Sequence, residues 1–285
     1  MSIKSSINPP VFYSSVFFIT LMVMICAIWP TEANHFFKSM QSWLEAKAGW
    51  LYILGVAIFL IFIIFVMVSR FGDIKLGPDH AVPDYSYKSW IAMLFSAGMG
   101  IGLMFFGVAE PVMHYLAPPD ATPESLAAAK EAMKITFFHW GLHAWSVYCI
   151  TALAIGYFSY RKGLPFSLRS ILHPLIGNRI YGPIGNLVDI IVIVVTTFGI
   201  SQTLALGVLQ INAGLNKVFG LGINVTSQFI ILVLLSSLAT ISVVRGIGTG
   251  MRRISELNII LSIILSIDNL NFFFYNYHRS ESYSW

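Results

Sequence analysis

Aromatic and histidine side chains are concentrated in residues 138–148, which read F-H-W-G-L-H-A-W-S-V-Y. In a helix, Trp145 and Tyr148 share a face because they are three residues apart, and Trp140 lies about a turn and a half away. Aromatic faces attract a quaternary ammonium ion by cation–π interaction, worth about 2 kcal/mol or more in a desolvated site. The same residues would also suit an interfacial aromatic belt or simple packing, so the spacing leaves both interpretations open.

Residues 96–111 form a second unusual segment, in which Gly98, Gly100 and Gly102 fall within five residues of an apolar stretch. Glycine costs roughly 1 kcal/mol relative to alanine within a helix, so three of them reduce the penalty for unwinding. Unwound backbone can present carbonyls to an ion or amides to a carboxylate. Gly98 and Gly102 also form a small-xxx-small pair, which is common where membrane helices pack closely.

Other polar residues in apolar stretches also allow two interpretations. His139 and His143 have metal-ligand spacing, but the glutamate of a zinc-peptidase motif is absent, so structural histidines are favoured and no metal site is predicted. Glu110 is either a proton-linked carboxylate or an interfacial residue that closes its helix, and the second is favoured. The hydroxyls of Thr196 and Thr197 could ligate Na⁺ or bond back to helix carbonyls.

The elements that must position these residues are membrane helices. The chain is 56% hydrophobic and 11% charged, and it contains about seven apolar stretches of the kind that cross a bilayer, the last of which is short. The fold class is therefore an all-α polytopic membrane protein with a single membrane domain over 1–285 and no enzyme motif. Thr122 and Pro123 predict the start of a lead-in helix before the fourth stretch. The approximate stretches are 11–30, 50–69, 90–116, 134–160, 187–213, 223–244 and 254–267.

The basic residues predict the orientation in the membrane. Eleven Lys and Arg residues lie inside if the N-terminus is cytoplasmic, against six outside, and the positive-inside rule favours that topology. Because the basic residues lie in short loops, a nucleic-acid partner is not expected. The inside set is Lys4, Arg70, Lys75, Lys88, Arg161, Lys162, Arg169, Arg179, Arg245, Arg252 and Arg253, and the outside set is Lys38, Lys47, Lys130, Lys134, Lys217 and Arg279.

The end of the sequence departs from this pattern. From Ser266 the apolar run gives way to I-D-N-L-N and a polar ending, and Asp268 would be costly in mid-membrane. The seventh stretch is therefore expected to stop at about residue 267, unless the three phenylalanines at 272–274 extend it past Asp268. Residues 268–285 are interpreted as an aberrant tail of a truncated or frame-shifted product. One hypothesis is accordingly a non-transporting membrane fragment that at most associates with intact subunits.

Four segments together resemble the betaine/choline/carnitine transporter family over about residues 8–265. They are S-R-F-G-D-I-K-L-G-P at 69–78, A-G-M-G-I-G-L-M-F-F-G-V-A-E-P at 97–111, F-H-W-G-L-H-A-W at 138–145 and I-S-E-L-N at 254–258. Residues 7–13 and 157–165 are most similar to its choline-transporting branch. The resemblance implies two N-terminal helices (11–69) followed by the first half of a LeuT-like inverted-repeat transporter (about 90–267).

The resemblance also implies roles for individual residues. Trp140, Trp145 and Tyr148 match aromatic residues that enclose a trimethylammonium group or line its access path, and Ala97, Gly98, Met99, Gly100 and Gly102 lie beside the other end of the solute. Ser96 and Met99 match backbone positions near one sodium site, and Thr196 matches a threonine of another. The implied function is symport of choline, or of glycine betaine, for osmoprotection. The implied setting is a bacterial inner membrane, in homotrimers, without a cofactor.

Two departures from the family pattern bear on mechanism. Where a sodium-coupled member has a second threonine, four residues after Thr196, this sequence has Ile200, whose side chain cannot ligate a hard cation. Proton coupling is therefore expected rather than sodium coupling. Some choline-specific members carry aspartate at the position of Gly102. Its absence keeps glycine betaine, a zwitterion that needs no counter-charge, as an alternative substrate.

Overall fold

The structure is a computed structural model that describes residues 7–98 and 101–281, with side chains described except at 101–104, 249 and 268–281. Every element within these ranges is helical. The α-helices are α1 (Pro9–Ile28), α2 (Pro30–Val68), α3 (Tyr87–Gly98), α4 (Ile101–Leu116), α5 (Leu126–Trp140), α6 (Leu142–Gly156), α7 (His173–Ile176), α8 (Pro183–Phe219), α9 (Val225–Val244) and α10 (Arg252–Glu281). Short 3₁₀ turns cover Arg70–Asp73, Leu168–Leu172 and Gly177–Tyr181, and π-helical turns cover Tyr157–Arg161 and Ile247–Met251.

Five helical segments in the described ranges are long and apolar enough to cross a membrane: Pro9–Ile28, Pro30–Val68, Leu126–Arg161, Pro183–Phe219 and Val225–Val244. They coincide with five of the seven predicted stretches, so the all-α membrane fold is confirmed. The third predicted stretch contains α3 and α4, and the seventh lies within α10. The count of seven spans stays a prediction.

Two helices extend beyond their predicted limits. Residues 31–49, expected to connect the first two stretches, belong to the 39-residue α2. This segment contains strong helix formers such as Glu45, Ala46, Lys47 and Ala48, and it contains no proline. The helix that holds the last predicted stretch also extends further, because α10 continues to Glu281, and the end of the membrane stretch itself at residue 267 stays a prediction. An isolated Asp268 and its asparagine neighbours lower helix propensity only slightly, so they do not stop a helix that is already formed.

The lead-in helix begins later than predicted. Ser125, rather than Thr122, caps α5, because its side-chain oxygen accepts from the Ala128 amide at 3.0 Å. Pro123 precedes the helix, and Glu124 adopts a left-handed backbone conformation with φ of 59°. Glu131 reinforces this turn by accepting from the Ala121 amide at 3.0 Å. The helix then continues into the fourth predicted stretch, as expected, but it ends at Trp140, before the break at Gly141.

The chain divides into two compact units, with boundaries between Ala81 and Val82, within α4 and within α8. The first consists of Met1–Ala81 and Glu110–Ser201. In it α6 packs against α2 and α5, and α1 packs against α2. Ser146 is almost fully buried at the α2–α6 contact, where its hydroxyl lies 3.4 Å from the Val56 carbonyl. A small side chain allows the two helix backbones to approach closely, as is common in membrane proteins.

The second unit consists of Val82–Ala109 and Gln202–Trp285. Its main contact is between α3 and α10, where Ala92 is buried. The Ser89 hydroxyl donates to Glu256 at 2.6 Å, and Glu256 also accepts from the Arg252 Nε at 2.9 Å. The I-S-E-L-N segment at 254–258 thus provides polar contacts that fix α10 against α3. The expectation of a single membrane domain stays a prediction.

Two loops that the charge pattern predicts on the same membrane side meet in the first unit. Arg161 donates to Asp79 at 2.5 Å and to the Gly77 carbonyl at 3.0 Å. The hydrogen bond and the charge of Arg161 lower the pKa of Asp79 below its usual value of 3.8. Asp79 remains largely exposed, so water and salt screen the pair.

We expect the Asp79→Asn substitution to lower the melting temperature of the purified chain by at most about 2 °C at neutral pH, because exposed ion pairs contribute little. A carboxyl whose pKa is lowered in the folded state stabilises the protein above its ordinary pKa, and this contribution disappears as pH falls through the lowered value. The difference between the two proteins should therefore vanish in strong acid and shrink in high salt. An undiminished difference in acid would contradict this assignment.

Candidate functional site

The aromatic segment spans a junction between two helices in the first unit. Helix α5 ends at Trp140, Gly141 is extended with φ of −85° and ψ of −155°, and α6 begins at Leu142. The last carbonyls of a helix lack intrahelical partners. The Trp140 carbonyl uses this freedom to accept a hydrogen bond from the Trp145 Nε1 at 2.9 Å. The junction therefore fixes the indole of Trp145 through the backbone of Trp140.

Trp145 and Tyr148 form the pair predicted from their spacing. Their ring centroids are 5.7 Å apart with an interplanar angle of 40°, and both rings rise from the same side of α6. Tyr148 is 69% exposed and Trp145 is partly buried. Two tilted aromatic faces with one accessible side can receive a bulky cation without offering it a hydrogen-bond acceptor. This geometry suits a methylated ammonium group, which has no N–H to donate.

The Trp140 side chain has a different environment. Its indole Nε1 donates to the Glu110 carboxylate at 2.6 Å, and its ring lies against His139 with centroids 4.8 Å apart. His139 Nδ1 also lies 2.9 Å from both Glu110 oxygens. Trp140 is thus coupled to the predicted site through its carbonyl, while its indole belongs to a polar cluster around Glu110.

Glu110 was favoured as an interfacial residue that closes its helix, and the helix-closing part of this interpretation was wrong. Helix α4 continues through Pro111 to Leu116, and Glu110 is only 7% exposed. Pro111 is the eleventh of the 16 residues of α4, and its ring removes one backbone hydrogen bond inside the helix, which neighbouring helices can offset in a membrane protein. The sequence hinted at the cluster only through the spacing of Glu110 and His114, whose Nε2 lies 3.6 Å from the carboxylate.

The glycine-rich segment is described only in part. Met99 and Gly100, predicted to contact solute and, for Met99, an ion, lie outside the described residues. Ala97 and Gly98 form the exposed and partly buried end of α3, and Gly102 falls in the first turn of α4. The contact of Ala97, Gly98 and Gly102 with a solute stays a prediction.

Ser96, predicted near a sodium site, uses its side chain to join α3 and α10. Its hydroxyl donates to the Ser255 carbonyl at 3.3 Å and accepts from the Asn258 amide at 3.1 Å. The prediction concerned its backbone, which lies within α3. The hydroxyl itself is therefore committed to holding the helix pair together, and the role of the backbone stays a prediction.

The threonines of α8 follow their ordinary behaviour in membrane helices. Thr197 Oγ1 donates to the Ile193 carbonyl at 2.7 Å, and Ser201 Oγ donates to the Thr197 carbonyl at 2.8 Å. Thr196, the residue matched to an ion site, is exposed on α8, and Ile200 on the same helix is 63% exposed. The aliphatic side chain of Ile200 offers no oxygen ligand at this surface.

The two histidines of the aromatic segment do not form a metal centre within the described residues. No group of three or more His, Cys, Asp or Glu side chains there has a metal-binding arrangement. His143 packs its ring against Phe138 with centroids 4.6 Å apart, while His139 faces Glu110. The two rings therefore have different neighbours, and the absence of a metal site stays a prediction.

Comparison with known proteins decides the family. The betaine/carnitine/choline family of transporters matches residues 10–272 of the chain. The chain belongs to this family. The match extends seven residues beyond the predicted limit of 265 and includes the first five residues, 268–272, of the segment that was interpreted as aberrant.

Curated members of the betaine/carnitine/choline family resemble almost the whole chain. A glycine betaine transporter of Acinetobacter baylyi is 47% identical over 92% of this chain and 40% of its own length. The high-affinity choline transport protein of Escherichia coli K12 is 42% identical over 91% of this chain and 38% of its own length. An osmo-dependent choline transporter of Acinetobacter baylyi is 41% identical. The chain spans about two fifths of the length of these relatives, all of which are named as transporters rather than enzymes.

The junction at Gly141 provides a specific test of the aromatic geometry in this family member. A Cβ added at Gly141 would collide with the Phe137 carbonyl. Because that carbonyl is backbone, the end of α5 would have to move. We expect Gly141→Ala to lower solute affinity by about tenfold, the effect of losing roughly 1.4 kcal/mol of site geometry. Gly199→Ala is the matched control, since nothing lies within 4 Å of a Cβ there, and equal effects of the two variants would contradict the assignment.

Proposed function

We propose that this chain forms the first part of a membrane transporter for trimethylammonium solutes. The observation that carries the proposal is the tilted Trp145–Tyr148 pair, 5.7 Å apart, with Tyr148 accessible. A trimethylammonium group binds aromatic faces by cation–π attraction and gains little from a carboxylate beyond its charge. The printed names of the relatives, for glycine betaine and for choline, support the same solute class.

Choline and glycine betaine are the two candidate substrates. Residues 7–13 and 157–165 resemble the choline branch, and on that ground we favour choline. Gly102, which carries no counter-charge, and the 47% identity to a glycine betaine transporter favour the zwitterion. Both solutes share the head group that the aromatic pair would bind, so the site residues Trp140, Trp145 and Tyr148 apply to either. Ala97, Gly98, Met99, Gly100 and Gly102 would face the other end of the solute.

We assign protons rather than sodium as the coupling ion. Ile200 replaces an oxygen ligand, and the nearby Thr197 and Ser201 hydroxyls are bonded to backbone carbonyls. A hard cation would be left with too few oxygens at this surface. Ser96, Met99 and Thr196 stay the candidate ion-coupling positions, and Ile200 leaves the position of Thr196 without a second side-chain oxygen. Replacing external Na⁺ by K⁺ should leave uptake unchanged, while collapsing the proton gradient should abolish it.

The proposal also has a cellular setting. The excess of Lys and Arg in alternate loops supports a cytoplasmic N-terminus in a bacterial inner membrane. The printed name of the osmo-dependent relative supports a role in osmoprotection. Assembly into homotrimers is proposed from the family resemblance alone. A reporter fused at residue 1 that remained inaccessible from outside intact cells would support this orientation.

Uptake in cells that lack their own choline and betaine transporters tests the proposal. The first protein is the 285-residue chain. The second, called the completed chain, joins residues 1–272 to the part of the Acinetobacter baylyi glycine betaine transporter that follows the matched region. Saturable uptake of labelled choline or glycine betaine, with a much weaker affinity in Trp145→Ala, would support the proposal and identify the substrate. No uptake of either solute by a completed chain that inserts normally would contradict it.

A further inference from the structure

Glu110 is a buried carboxylate with an unusual set of neighbours. Its side chain is 9% exposed. It accepts from the Trp140 indole at 2.6 Å and lies 2.9 Å from His139 Nδ1 and 3.6 Å from His114 Nε2. Among the described side chains, His114 on its own helix α4 and His139 on α5 are the titratable groups that face it.

The chemistry of these neighbours requires an acceptor at Glu110. An indole N–H can only donate, and a buried carboxylate is costly unless donors satisfy it. Hydrogen bonds to an ionised carboxylate are roughly twice as strong as those between neutral groups. The His139 side chain is 60% exposed, so it connects the buried carboxylate to the surroundings and provides a path for a proton. The ionised form of Glu110 therefore holds Trp140 more firmly than the protonated form.

Trp140 transmits this constraint to the aromatic pair. Its indole is held by Glu110, and its carbonyl accepts from the Trp145 Nε1 at 2.9 Å. Trp145 in turn lies against Tyr148. A shift of Trp140 would move the acceptor that orients Trp145. The contacts thus form one continuous chain from the buried carboxylate to the proposed solute site, all within the first unit.

We infer that Glu110 is a positioning residue for the trimethylammonium site and that its ionisation sets the solute affinity through Trp140. The inference rests on the proposed function. One proton from water, passed by way of His139, binds a Glu110 oxygen and leaves a neutral acid, whose bond to the Trp140 indole lacks charge assistance. Solute affinity should then fall as the pH is lowered. This local effect is distinct from the ion that drives transport.

The test uses the purified 285-residue chain in lipid nanodiscs and measures binding of labelled choline and labelled glycine betaine across a pH series. For the solute that binds, the unaltered protein should lose affinity on acidification by about tenfold, the fold-change typical of one charge-assisted hydrogen bond. Glu110→Gln keeps an acceptor for Trp140 but does not titrate, so its affinity should be weaker at neutral pH and flat with pH. Glu45→Gln, which removes an exposed carboxylate bonded only to Gln41 on α2 in the described structure, should retain the full profile.

Tryptophan fluorescence provides a readout that does not depend on solute. The unaltered protein should show a pH-dependent change in emission that is lost in both Glu110→Gln and Trp140→Phe and retained in Glu45→Gln. If no solute binds but this pattern is found, the link between Glu110 and Trp140 stands and its effect on solute affinity is overturned, while uptake by the completed chain tests the proposed function separately. If circular dichroism shows that Glu110→Gln is unfolded, the Trp140→Phe variant provides the test. It keeps the Glu110 carboxylate and should still lose the pH dependence of affinity and emission. Unaltered pH profiles of affinity and emission in the folded variants would overturn the inference.

Discussion

Replacing Trp145 by alanine should weaken the uptake affinity of the completed chain for its trimethylammonium solute by about 30-fold or more. Cation–π attraction to a desolvated ring contributes about 2 kcal/mol, which corresponds to this factor. The substitution also removes the donor that bonds the Trp140 carbonyl and the ring that faces Tyr148. The measurement is the concentration of labelled solute at half-maximal uptake, with the amount of inserted protein determined in the same cells.

Two matched variants separate ring chemistry from damage to the fold. Trp145→Phe keeps an aromatic face but loses the indole N–H, so its affinity should lie between those of the unaltered protein and Trp145→Ala. Trp43→Ala removes a 61% exposed tryptophan on α2 and should leave affinity unchanged. An affinity for Trp145→Ala within twofold of the unaltered protein would show that the aromatic pair does not bind the solute.

The second large effect concerns stability in the connection before α8. Arg169 Nε lies 3.4 Å from the Asp189 carboxylate, at ion-pair distance but without hydrogen-bond geometry, and both side chains are about five-sixths buried, with 16% and 15% exposure. The Ser167 hydroxyl also donates to Asp189. Arg169→Met should lower the free energy of unfolding of the purified chain by about 3 kcal/mol, because it leaves a buried carboxylate without its cation.

Arg179→Met is the control for Arg169→Met. Arg179 lies in the same connection but is exposed, so its replacement should change stability by less than about 0.5 kcal/mol. The double variant Arg169→Met with Asp189→Asn should recover part of the lost free energy of unfolding, because no unpaired charge would remain. Equal destabilisation by the two arginine variants, measured by denaturant unfolding in detergent, would contradict the role given to the Arg169–Asp189 pair.

The sequence predicted helix positions better than helix ends. Five apolar stretches coincide with long helices, because hydrophobic length is a direct consequence of the bilayer as solvent. The ends depend on local capping and weak propensities, which is why Ser125 rather than Thr122 caps α5 and why α10 passes through Asp268. Residues 31–49 were missed as helix because their polar composition was interpreted as a connection, although their propensities favour α2.

The candidate site could be predicted only where its residues share one helix. The Trp145–Tyr148 pair follows from a spacing of three. The contact between Glu110 and Trp140 joins α4 to α5, and no local pattern specifies which helices meet. The same limit applies to Ser96, whose partners Ser255 and Asn258 are about 160 residues away in sequence. Contacts between helices require tertiary structure, whereas helical periodicity does not.

The central claim, that aromatic faces bind a trimethylammonium group, is tested most directly by competition for labelled solute in the completed chain. Choline and ethanolamine share the same alcohol and positive charge, but only choline carries three N-methyl groups. We predict that choline and glycine betaine compete for uptake while ethanolamine, at the same concentration, competes at least about tenfold more weakly. Equal competition by ethanolamine would show that charge alone is recognised and would contradict the account.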